Sequence, residues 1–168
     1  AICHEVDNKK NPLKLVENSV NELCFSCHEV LHEDLTSRES SSVHEPFKDS
    51  CVNCHNPHNS KNEHLLINDV PNLCLDCHAD VKEKVNSKVM HGAIDSNDSC
   101  MNCHGPHTAK NEKLLLKEPF DLCIKCHGVD GLKDHEGVEL ANFQKLLDEN
   151  TLHHAPVEYK DCSACHNP

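Results

Sequence analysis

Twelve of the chain's 13 cysteines stand in pairs with two residues between them, and a histidine follows every pair. The motifs are Cys24–Cys27–His28, Cys51–Cys54–His55, Cys74–Cys77–His78, Cys100–Cys103–His104, Cys123–Cys126–His127 and Cys162–Cys165–His166. Paired thiols of this kind close disulfides, hold zinc or attach a haem. A disulfide framework sets no preference for histidine after the second cysteine. Histidine supplies 16 of 168 residues, so its recurrence after all six pairs by chance is on the order of one in a million. Zinc takes two such pairs per site and does not require the histidine. The spacing reads as covalent haem attachment. The two thiols add to the two vinyl groups of the haem, and the adjacent imidazole ligates the iron from the proximal side.

The odd cysteine extends the pattern. Ala1-Ile2-Cys3-His4 reads as the tail of a seventh motif whose first cysteine would precede Ala1, and Cys165-His166-Asn167-Pro168 reads as a motif cut short. The expectation is six haem c groups with a seventh at Cys3–His4, in a fragment of a longer chain. Counting His4, seven histidines follow a motif and nine remain: His32, His44, His58, His64, His91, His107, His135, His153 and His154. Seven irons with two imidazoles each need seven more. His58 and His107 each follow a proline, while His44, His91 and His154 precede the next motif by 7, 9 and 8 residues. These five are expected as distal ligands. His32 stands one helical turn after His28 and could face a neighbouring haem. His135 in its loop, and His153 beside His154, complete the candidates. His64 corresponds to Lys113 in the next repeat and is expected to be exposed. Only Met90 and Met101 could supply sulfur. Methionine–histidine ligation raises a haem's potential, so two-histidine ligation predicts low-potential haems.

The motifs are periodic. Cys51 to Cys74 and Cys100 to Cys123 are each 23 residues, and the two blocks are offset by 49. The linkers match: His55-Asn-Pro-His58, Lys61-Asn-Glu63 and Leu65-Leu66 answer His104-Gly-Pro-His107, Lys110-Asn-Glu112 and Leu114-Leu115. One continuous domain built of repeats at about 1–50, 51–99 and 100–168 is expected. In these motifs the chain resembles the doubled-CXXCH family of multihaem c-type cytochromes over nearly its whole length. The resemblance implies periplasmic or cell-surface electron transfer through closely packed haems.

Those sites need an unusual scaffold. Aromatic residues make up 3% of the chain, with no Trp. Such a chain cannot build much of a core from its own side chains. The expected fold is mostly irregular with short α-helices and almost no β-structure, cored by haem. The third repeat carries extra residues, where Val138, Ala141, Leu146 and Leu147 predict an amphipathic helix over 138–147. A net charge of −12 without clustered Lys or Arg excludes a nucleic-acid partner. No stretch approaches the ~20 apolar residues of a membrane span.

The function these features point to is electron transfer along closely packed bis-histidine haems, by a carrier rather than an enzyme. Such a carrier would sit in the periplasm, at the cell surface or outside the cell. Its partners would be other redox proteins or an extracellular acceptor, with continuation into a homo-oligomer or filament. The alternatives are a multihaem reductase of nitrite or hydroxylamine type with one open iron, which would bind carbon monoxide, and a zinc-bound interaction module, which metal analysis would separate.

Overall fold

The computed structural model describes residues 2–37, 39, 42–86 and 90–166; the expectation of a motif cut short after His166 falls on 167–168, outside them. Eight short helices follow in chain order: α1 (Val20–Phe25), α2 (Glu29–Thr36), α3 (Glu45–Asp49), α4 (Asn72–Leu75), α5 (Ala79–Val85), α6 (Pro119–His127), α7 (Phe143–Glu149) and α8 (Ala155–Glu158). None exceeds nine residues, well below the ~12–15 that an isolated helix needs to be even marginal in water. Local signals start them. Ser19 Oγ accepts from Glu22 N–H at α1, Asn142 Oδ1 accepts from Lys145 N–H at α7, and prolines occupy the first turns of α3, α6 and α8.

The only sheet among the described residues is two-stranded. β1 (Ser42–Val43) pairs antiparallel with β2 (Thr108–Ala109). This small element joins the first repeat to the third across the second. The fold is mostly irregular, as the composition implies. The helix expected over 138–147 is shorter than the apolar spacing suggested. Residues 132–140 instead form a turn, with Lys133 bridged to Glu139 and Leu140 N–H donating to Leu132 O, and Gly137 sits at φ 82°. The helix therefore begins at Phe143, and Val138 stays exposed.

The polypeptide closes almost no core of its own. Phe47, Leu75 and Ala109 are the buried apolar residues. The chain exposes 12715 Å², where a compact protein of 18.8 kDa exposes roughly 8,300 Å². Hollows lie beside the motifs. One of about 590 Å³ is lined by Leu75, Val85, Met90 and Ile94, and another of about 470 Å³ by His4, Val6 and Val16. No helix among the described residues is long and apolar enough to cross a membrane.

Candidate functional site

Each motif is one helical turn. The backbone N–H of His28, His55, His78, His104 and His166 donates to the carbonyl of the first cysteine of its motif, at 2.9–3.0 Å. That turn brings thiols three residues apart and the following imidazole to one side of the chain. The motifs come in two alternating settings. Those at Cys24, Cys74 and Cys123 begin inside α1, α4 and α6. Those at Cys51, Cys100 and Cys162 lie on 3-10 turns, Cys51–Asn53, Ser99–Asn102 and Cys162–Ala164.

Successive motifs adjoin through their thiols. Cys51 meets Cys24, Cys74 meets Cys100, and Cys123 meets Cys162, each through a side-chain hydrogen bond. Between these junctions, Cys54 lies near Cys77 and Cys103 near Cys126. Burial, then the neighbouring sulfur, pushes the Cys51 and Cys74 thiols up to about 11. Burial also raises Cys54, Cys103 and Cys123. As free thiols these groups stay protonated near neutrality. The contacts run in sequence order, first cysteine to first and then second to second.

The histidines of the first motif in each repeat are held by identical loops. His4, His55 and His104 form bridges with Leu15, Leu66 and Leu115. Their Nδ1 atoms lie 2.8, 2.8 and 2.9 Å from the carbonyl oxygens of Leu13, His64 and Lys113. A carbonyl only accepts, so Nδ1 carries the proton and Nε2 keeps its lone pair for a metal. Two of these loops are strained. His64 and Leu65 lie at φ 55° and 58°, and Lys113 and Leu114 at 56° and 60°, a left-handed conformation costing about 1–2 kcal/mol per residue. The Lys-Asn-Glu segment braces the turn: Asn62 Nδ2 and Asn111 Nδ2 donate to Leu66 O and Leu115 O at 3.0 and 2.9 Å. Exposed His64 thus serves through its backbone oxygen. Sequence reasoning missed this role, although the matched linker was its signal.

Four imidazole pairs face one another. The ring centres are 6.1 Å apart for His4–His58, 6.1 Å for His44–His78, 6.0 Å for His55–His107 and 6.1 Å for His91–His127. Two imidazoles bonded to one metal put their centres about 6 Å apart, given metal–nitrogen bonds near 2.0–2.1 Å and a ring centre roughly 1.1 Å behind the nitrogen. Direct stacking in the same molecule is closer, at 4.8 Å for His32 on Phe25. Each pair joins a motif histidine to one of the remaining histidines. Burial, and next the facing ring, lowers the pKa of His107 and His127. That favours the neutral imidazole, the form that ligates.

The description "Doubled CXXCH motif" matches the chain three times, over residues 1–33, 44–83 and 91–131. The chain belongs to that family. It is a multihaem c-type cytochrome, and its motifs carry haem c. It is also 35% identical over 81 residues to the multiheme cytochrome MtrA of Shewanella baltica (strain OS185), a match that takes in 48% of this chain and 24% of that protein. The chain therefore spans well under two thirds of that relative.

The residues of this cytochrome fit the group. Paired neutral imidazoles, thiols on one side of a helical turn, and apolar hollows beside them suit a flat, apolar ring bound through sulfur and iron. Not every expected ligand is brought to a partner. His28, His104 and His166 have no ring partner among the described residues. His135 is exposed, 3.9 Å from Glu136. His154 caps α8 as His44 caps α3, yet its side chain stays exposed. His153 points inward instead, with its Nδ1 3.1 Å from Glu158 Oε2.

Proposed function

We propose that the chain conducts electrons along a row of bis-histidine haems arranged in sequence order. The uniform 6.0–6.1 Å spacing of four imidazole pairs carries this reading. Bound haem supplies the one-electron iron couple, exchanged between neighbouring rings. The chain's own residues do the positioning. The thiols of Cys24, Cys27, Cys51, Cys54, Cys74, Cys77, Cys100, Cys103, Cys123, Cys126, Cys162 and Cys165 anchor six groups, and Cys3 with His4 belongs to a seventh. The loop of His4 supports the seventh, because it repeats those of His55 and His104.

Ligation crosses the repeats. His58 of the second repeat completes His4 of the first, and His107 of the third completes His55 of the second. In the other direction, His44 completes His78, and His91 completes His127. β1 and β2 hold two of these donors together: His44 N–H donates to His107 O at 2.9 Å, and the His44 ring lies 3.0 Å from Pro106 O. Phe47 packs 4.8 Å from the His107 ring. The thiol junctions keep consecutive attachment points adjacent, the requirement for exchange along a row.

The absence of methionine from these pairs favours low potentials. The location that suits covalent attachment is the periplasm, the cell surface or the exterior. The partners would be other redox proteins or an extracellular acceptor, reached from the ends of the row. The unpaired His28, His104 and His166 favour the reductase as a second reading, since catalysis needs an open iron. Carbon monoxide and nitrite added to the reduced protein separate the two. The conduit predicts no nitrite turnover, whereas steady nitrite consumption would establish the reductase.

A further inference from the structure

We propose that His153 is the distal ligand of a haem in the third repeat, on His104 or His166, and that Glu158 positions it. This rests on the bis-histidine reading. Three observations carry it. The His153 Nε2 atom is buried with no hydrogen-bond partner, and an orphaned polar atom of this kind costs about 1–3 kcal/mol unless something satisfies it. The opposite nitrogen, Nδ1, is held 3.1 Å from the Glu158 carboxylate, which accepts its proton and leaves the Nε2 lone pair inward. The third repeat also contains two motif histidines without a ring partner, His104 and His166.

The neighbouring residue sharpens the assignment. His154 matches His44 by its place before an X-Pro pair and by capping a helix, yet it is exposed. The inward role falls to the adjacent His153. Its setting is unlike that of the other histidines. His4, His44, His55 and His104 lean on backbone carbonyls. His153 is the one histidine among the described residues hydrogen-bonded to a carboxylate. A carboxylate behind a ligating imidazole raises its basicity and donor strength. A stronger donor stabilises ferric over ferrous iron. Glu158 therefore holds the potential of that haem below the value it would have with a neutral partner.

The test uses the haem-loaded chain, reduced and titrated with carbon monoxide, alongside spectroelectrochemistry. Relative to the parent, His153→Ala should gain one carbon monoxide-binding haem per chain. Glu158→Gln should gain none, and should shift one haem's midpoint to more positive potential. Glu136→Gln, beside exposed His135, should change neither. His58→Ala serves as the reference for the underlying reading, and should also gain one binding haem. If His58→Ala gains one and His153→Ala gains none, the His153 assignment is overturned while the bis-histidine row stands. If neither gains one, the row itself fails and the assignment with it. An unmoved set of midpoints in Glu158→Gln removes the role given to the carboxylate.

Discussion

In the central repeat both motif histidines face a partner ring: His55 faces His107 and His78 faces His44. In each outer repeat only one of the first two does, His4 through His58 and His127 through His91. His28 and His104 face none among the described residues. The motifs are the same throughout; the neighbours differ. The central repeat has a repeat on both sides, and β1 and β2 tie those two sides together over it. The difference teaches that a repeat of this kind supplies attachment for its own haems and distal ligands for its neighbours' haems. The array is interlocked rather than a string of self-sufficient beads.

The largest effect should come from removing a central attachment point. Replacing Cys74 and Cys77 together by Ala should remove one haem from the intact mass, and the urea transition should lose its single cooperative step. Next, His44→Ala and His107→Ala should each open one iron of the central repeat, read as one added carbon monoxide-binding haem. His154→Ala, at an exposed ring without a partner, should open none. An equal response from His154 would break the comparison. Phe47→Ala removes the buried ring between Phe25 and His107, and should cost about 3–5 kcal/mol in urea unfolding. Leu152→Ala, at a side chain 92% exposed, should stay within about 0.5 kcal/mol. The smallest effect tests the strained loops. Lys113→Val puts a β-branched residue at φ 56° and should cost about 1–2 kcal/mol, where Leu13→Val, in the first repeat's unstrained loop, should cost less.

The chemistry was legible because haem attachment requires sulfur and imidazole at fixed spacing along one helical turn. The histidines at 58 and 107 were legible from their matched place after proline. Their partners were not. The paired rings lie 34 to 54 residues apart in the chain, and a two-residue strand pair and bridged loops set their meeting. Neither leaves a hydrophobic period to read. The roles of His64 and Lys113 were invisible because they act through backbone oxygen, with side chains free to differ. At His153 and His154 the repeat alignment favoured the second, whereas the turn into α8 aims the first inward. The helix over 138–147 was overread because apolar spacing does not register the Gly137 turn or the cap at Asn142.

The central claim is that imidazoles from neighbouring repeats close the irons held by His4, His55, His78 and His127. The most direct measurement is the haem count per chain, together with the number of reduced haems whose spectrum carbon monoxide shifts. The account predicts seven haems, of which no more than three respond, those on His28, His104 and His166. A carbon monoxide shift in more than three haems of the intact, folded chain would contradict it.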